Sequence, residues 1–129
     1  MLPPIDMEYL QVRAPGHAVS SEGGEVCVVI PAFLLGGGFD RPQSDLLLRL
    51  APGYPDVPPD MWWFNPPVRR TDGAEIPATQ VREHHLGREW QRWSRHLTPG
   101  QWRSGVDCLE SYLAIVRREL SAAAPKAAA

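Results

Sequence analysis

The clearest hydrophobic pattern lies near the end of the chain. Val106, Leu109, Tyr112, Leu113, Val116 and Leu120 recur at three- and four-residue steps, which predicts an amphipathic helix. Ser104-Gly-Val-Asp107 reads as its capping box. Arg117 and Arg118 fall in its last turns, where the helix dipole favours cations. Upstream the pattern shortens to apolar runs. Val26-Cys-Val-Val-Ile30 reads as a strand buried on both faces, Asp45 to Leu50 as another, and Met61 to Phe64 as a third. Glu8 to Arg13 reads as a further extended segment, ended by Ala14-Pro-Gly. Ser20 to Gly24 is a turn cluster, and Pro31 ends the clean ladder of the run before it. Gly36-Gly-Gly38 marks a loop, and Asn65-Pro-Pro67 closes the last strand, because proline cannot donate to a central ladder. Arg69 to Gly87 has no clear period. Four short strands, a long loop and one helix predict an α+β fold: a four-stranded antiparallel meander sheet with a long C-terminal helix packed on one face.

Ala51 to Pro59 holds four prolines in nine residues, so most of its φ angles are preset and it reads as a rigid arm. One domain is expected over 6–121, with a low-complexity, disordered tail over 122–129. The length of 129 residues suits one domain, and 43% hydrophobic residues can build a core. A net charge of −2 offers no basic excess for bulk nucleic-acid binding. The first residues lack a charged, apolar leader, and no run approaches the ~20 apolar residues of a membrane span, so a cytoplasmic protein is expected. Cys27 and Cys108 lie outside any metal-ligand spacing and read as buried, reduced thiols.

The chemistry concentrates in Gly87-Arg-Glu-Trp-Gln-Arg-Trp-Ser-Arg-His96, with Trp102 six residues on. Large rings mixed with permanent cations suit a surface that holds a partner or polarises a reacting group. In an extended segment Ser94 and His96 share a face. Serine needs an adjacent base to act as a nucleophile, and His96 is the nearest one in sequence. Alternatively Ser94 is a turn hydroxyl and His96 a structural histidine or a partner contact. Arg92 and Arg95 offer planar donor forks for a carboxylate or an oxyanion, or else pair with Glu83 or Glu89 on the surface. Trp90 and Trp93 are three apart and would share one face of a helical turn, as core or as partner anchors. His84, His85 and His96 lack a completing ligand pattern, so no metal or other cofactor is expected.

The order of elements, Tyr54-Pro-Asp-Val-Pro-Pro59, and Trp102 just before the helix together resemble the ubiquitin-conjugating enzyme fold. More narrowly, Asp60-Met-Trp-Trp-Phe64, Gly87 to His96 and Trp102 to Asp107 resemble a bacterial branch of that superfamily. The resemblance covers about residues 6 to 120 and implies partners: a ubiquitin-activating-like enzyme, a ubiquitin-like protein and a JAB-type, metal-dependent deubiquitinase-like peptidase. Neither a nucleic acid nor a membrane is among the expected partners. Twelve arginines against the single Lys126 read as coding bias, or as avoidance of nucleophilic amines near activated acyl groups.

The departures from the family pattern shape the expected mechanism. Phe64-Asn-Pro66 stands near where conjugating enzymes have His-Pro-Asn, and no cysteine lies between Asn65 and Trp102. The family's long N-terminal helix and its last two helices are not expected. Ser94, eight residues before Trp102, stands close to the place of the missing thiol. The resemblance therefore implies acyl transfer as an oxyester on Ser94, with His96 as base and Arg95 or Asn65 supporting the oxyanion. The rival is a catalytically silent binding module of the same fold, with Tyr54, Trp90, Arg92 and Trp93 as contact residues. A nucleic-acid-binding domain is a weaker third reading.

Overall fold

A computed structural model describes residues 2–126. The chain opens with helix α1 (Pro4–Arg13), continues through strands β1 (Ala18–Glu22), β2 (Glu25–Leu34), β3 (Gln43–Leu50), β4 (Trp62–Asn65), β5 (Arg82–His85) and β6 (Arg88–Trp93), and ends in helix α2 (Leu109–Ala123). One antiparallel sheet runs in the order β1-β2-β3-β4-β6-β5. The α+β class and the long final helix match the expectation, but the sheet has six strands, not four.

Three strands escape the hydrophobic pattern. β1 is an edge strand of mostly exposed, small and polar residues, so nothing alternates. The cluster read as a loose turn is a strand leading into a two-residue hairpin at Gly23-Gly24, both at positive φ. β5 and β6 form a second such hairpin across Leu86-Gly87, at φ 56° and 74°. Their polar faces carry a side-chain network that composition alone does not reveal. β2 runs past Pro31 because a bulge between Ile30 and Phe33 absorbs it, with the Ala32 N–H turned to Asp45 Oδ1 at 3.0 Å.

The extended reading of Glu8–Arg13 is corrected: this stretch is the second half of α1. Six residues are too few to separate a period of 2 from one of 3.6, and Pro4 at the helix start is the stronger signal. A ten-residue N-terminal helix is therefore present. The capping box is also corrected. Ser104 bonds Asp56, Asp107 accepts the Arg103 N–H at 2.7 Å, and Val106 stays exposed. Helix α2 starts later, with Cys108 at the N-cap and the Ser111 hydroxyl accepting the Cys108 N–H at 2.9 Å. The buried Asp6 of α1 adds a second cap: Oδ1 accepts the Leu109 N–H at 2.9 Å and Oδ2 the Tyr54 hydroxyl at 2.7 Å. Helix α2 also takes in residues 122 and 123 of the expected tail. The remainder of that tail beyond Lys126 lies outside the described residues.

Both helices contribute to one core with the inner side of the sheet: Leu10, Leu46, Leu48, Trp62, Phe64, Trp93, Leu109, Tyr112, Leu113, Val116 and Leu120. Because side chains alternate along a strand, their neighbours Cys27, Leu47, Trp63 and Trp90 form a smaller cluster on the outer face. Cys27 and Cys108 are both free thiols; Cys27 is buried, whereas Cys108 is only partly so. The proline arm is pinned at both sides, by Tyr54 to Asp6 and by the Trp102 Nε1–H to the Pro55 carbonyl at 2.9 Å. A Cβ at Gly53 would stand 2.5 Å from Val57 Cγ2, so a larger residue there would force Val57 to shift.

Candidate functional site

Strand β6 delivers most of the candidate segment. Its pairing with β4 sets Trp62 opposite Trp93, Trp63 opposite Arg92 and Phe64 opposite Gln91. Trp93 therefore joins the inner core, and Arg92 the outer face. Trp90 and Trp93 lie on opposite sides of a strand, which corrects the expectation of a shared helical face. Both are fully buried. Neither presents a surface to a partner in this conformation. The Trp90 Nε1–H donates to the His85 carbonyl at 2.9 Å, and Arg88 lies over its ring at 4.6 Å.

Ser94 follows the last residue of β6. The residue is partly buried; its N–H donates to the Ala78 carbonyl at 3.0 Å, and its hydroxyl accepts the Arg92 Nε–H at 3.1 Å. Arg92 NH1 donates to Glu83 Oε2 at 2.9 Å, so one of the surface pairings foreseen for the arginines forms. Glu83 Oε1 also accepts the Trp63 Nε1–H at 2.9 Å and stands 3.0 Å from His85 Nε2. Partial burial pushes the Glu83 carboxyl up, but the hydrogen bonds from His85, Trp63 and Arg92 and the charge of Arg92 outweigh it. The net effect holds the carboxyl below its usual range.

His96 is two residues beyond Ser94, on an open loop. Its Nδ1 is 2.7 Å from Asp60 Oδ1, and its side chain is 64% exposed. A carboxylate on Nδ1 fixes the ring's orientation and leaves Nε2 as the free basic nitrogen. No hydrogen bond joins Ser94 to His96 among the described residues. The two groups lie on one loop, each held by a different partner.

The remaining candidates sit elsewhere. Arg95 is locked against the inner side: NH1 donates to the Pro77 carbonyl at 2.8 Å, Nε faces Glu119 at 3.2 Å, and the guanidinium lies 5.0 Å over Trp93. Asn65 donates from Nδ2 to the Glu89 carbonyl and accepts from Arg88. Extending the β4–β6 register puts Asn65 beside Trp90, four residues from Ser94. At ~3.3 Å per residue that is about 13 Å, too far to support an oxyanion at Ser94. Tyr54 is half-buried, bonded to Asp6 and tilted against Trp102 at 6.1 Å. Burial first, then the Asp6 hydrogen bond, raises its hydroxyl well above the ordinary range. Sequence reasoning foresaw Glu83 only as a surface partner of the arginines and missed Asp60 altogether. Their only signal was an acid within reach of an arginine or histidine, which is common on any surface.

No cluster of three or more metal-ligating side chains occurs among the described residues, and no described helix is long and apolar enough to cross a membrane. A family model described as Prokaryotic E2 family E matches residues 2–123. No curated protein and no solved structure matches the chain.

Proposed function

The chain belongs to prokaryotic E2 family E, and from that premise we propose that it receives the C-terminus of a ubiquitin-like protein as an oxyester on Ser94. Membership implies a place in a ubiquitin-like conjugation pathway, with ubiquitin-like proteins and their activating enzymes as partners in general. A JAB-type deubiquitinase-like peptidase completes the set in this reading. The observation that carries it is the placement of Ser94. This partly buried serine follows β6, eight residues before Trp102, and a permanent cation donates to its hydroxyl. Neither thiol lies on that loop: Cys27 is buried in β2, and Cys108 caps α2.

The donor is a thioester between the ubiquitin-like protein's C-terminal carboxyl and a cysteine of the activating enzyme. Ser94 Oγ attacks the carbonyl carbon. A C–O bond forms, the C–S bond breaks, and the thiolate leaves. The hydroxyl proton passes to His96 Nε2 and on to the thiolate. A serine hydroxyl is not appreciably ionised near neutral pH, so the step depends on its neighbours. Arg92 Nε–H stabilises charge on Oγ as the proton leaves, and Asp60 steadies the His96 imidazolium. General-base assistance of this type contributes roughly 10² to 10⁴ in rate. This reading requires Ser94 and His96 to come together in the complex with the donor, since catalytic hydrogen bonds are often long in the free enzyme and tighten only there.

A second reading, a catalytically silent module that positions the ubiquitin-like protein, draws on two facts: among the described residues no base is bonded to Ser94, and His96 is paired with Asp60. One experiment separates the two. The protein is incubated with the activating enzyme, the ubiquitin-like protein and ATP, then analysed by denaturing gel and mass spectrometry. The oxyester reading expects an adduct on Ser94 that hydroxylamine removes and thiol reductants leave intact. It is expected to vanish in Ser94→Ala and persist in Cys108→Ser. A stable complex without any adduct supports the binding module instead.

A further inference from the structure

Outside the reacting groups, a set of three polar side-chain contacts on the sheet converges on Glu83. This one carboxylate collects donors from three strands: Trp63 on β4, His85 on β5 and Arg92 on β6. The register explains how. Glu83 pairs with Trp90 across β5–β6, which puts Arg92, two residues on, on the same outer face and diagonal to it. Trp63 sits directly opposite Arg92. His85 carries the chain of contacts outward, with Nδ1 3.5 Å from Glu22 Oε1, and Glu22 Oε2 accepts the Leu86 N–H at 2.8 Å.

Arg92 uses different nitrogens for its two partners, NH1 for Glu83 and Nε for Ser94. A guanidinium is planar and rigid. Fixing NH1 on Glu83 therefore sets the plane, and with it the direction in which Nε–H points. Without that anchor only the contact with Ser94 restrains the guanidinium's orientation.

We propose that Glu83 is a positioning residue for Ser94: acting through Arg92, it holds the Nε–H donor on the serine oxygen, with Trp63 and His85 keeping the carboxylate in place. The proposal rests on the reading of Ser94 as acyl acceptor. Glu83 itself touches neither the acyl group nor the serine. Its effect falls on the rate of transfer at saturating donor, not on donor binding.

The test uses the full chain and the variants Glu83→Gln, Arg92→Lys and Ser94→Ala, each shown to fold by circular dichroism. Two quantities are followed: the rate of Ser94 adduct formation from pre-charged activating enzyme as donor concentration varies, and the hydrogen exchange of the Arg92 Nε–H by NMR in the free protein. Glu83→Gln is expected to lower the maximal rate by about 10- to 100-fold, leave the half-saturating concentration within about twofold, and accelerate Nε–H exchange. Arg92→Lys is expected to lose at least as much, because an ammonium cannot serve both partners with a fixed fork. A folded Glu83→Gln whose transfer rate and Nε–H exchange both match the parent protein overturns the proposal. An adduct missing from the parent protein, or one surviving in Ser94→Ala, sinks the acceptor reading instead. In that event the exchange measurement alone decides the anchoring: faster exchange in Glu83→Gln supports it, and unchanged exchange overturns it.

Discussion

Trp62 and Trp63 are neighbours in β4 and both are almost wholly buried, yet different materials shield them from water. Trp62 faces the helices and is enclosed by rings, Trp93 stacked at 6.3 Å and Tyr112 edge-on at 6.0 Å. Trp63 faces the other way and is closed by an edge contact to His85 at 5.5 Å and its hydrogen bond to Glu83. The inner face is sealed by an apolar layer, the outer one by ion pairs over a small apolar patch. Charges placed under the helices would suffer a desolvation cost of several kcal/mol each. On the outer face they remain partly hydrated, so an arginine can stand beside a serine hydroxyl there. The Ser94–Arg92–Glu83 contacts belong to the ionically closed side for that reason, whereas His96 lines a pocket toward α2 with Arg95, Tyr112 and Glu119.

The sharpest way to break this contrast is to remove one ring from each face. Trp93→Ala empties the larger core and is expected to cost about 3–5 kcal/mol, read as a lowered midpoint in urea unfolding. Trp90→Ala opens the outer cluster, where water can enter, and is expected to cost less. Equal losses would erase the distinction between the faces. Asp6→Ala comes next. It strips two donors, the Leu109 N–H and the Tyr54 hydroxyl, of a buried carboxylate, for an expected loss of about 3 kcal/mol. A normal melting temperature in that variant contradicts the cap.

Acid sharpens the comparison from the other side. The folded Glu83 carboxyl titrates below its ordinary value of 4.5. Its contribution is thus fully present above the unfolded value and is lost as pH falls through the folded one. Unfolding midpoints measured from pH 6 down to pH 3 are expected to fall, and Glu83→Gln to flatten part of that slope. Trp93→Ala lowers the curve without changing its shape. The smallest effect is expected from His96→Ala, within about 0.5 kcal/mol in stability because its ion pair is exposed. Adduct formation, in contrast, is expected to drop by roughly 10² or more. A stable variant with unimpaired transfer removes His96 from the mechanism.

The segment from Gly87 to His96 stood out in the sequence by its rings and cations, but its geometry was not legible there. Trp90 and Trp93 at a spacing of three fit a helix face as well as two sides of a strand. Only the pairing of β6 with β4 and β5 decides between them. Arg92 and Arg95 are equivalent forks in sequence. The strand sends one outward to Ser94, while the other turns toward Glu119 on α2. Asn65 entered the expected site through the resemblance of Phe64-Asn-Pro66 to the family's His-Pro-Asn, and the register carries it to the far end of the pair. The edge strand β1 left no trace, since an exposed strand buries too little to impose alternation.

Local order along the chain determined the α+β class, the central strands, the rigid proline arm, the final helix and the missing thiol near Trp102. Each of these depends on side-chain period, ring constraint or residue identity, which neighbours in sequence express by themselves. The six-strand order, the Asp6 cap on α2, the Asp60–His96 pair and the Glu83–Arg92–Ser94 contacts were decided by tertiary structure. These groups lie between 2 and 103 positions apart in the chain. Only strand register and packing bring them within the 3 Å or so at which a hydrogen bond forms.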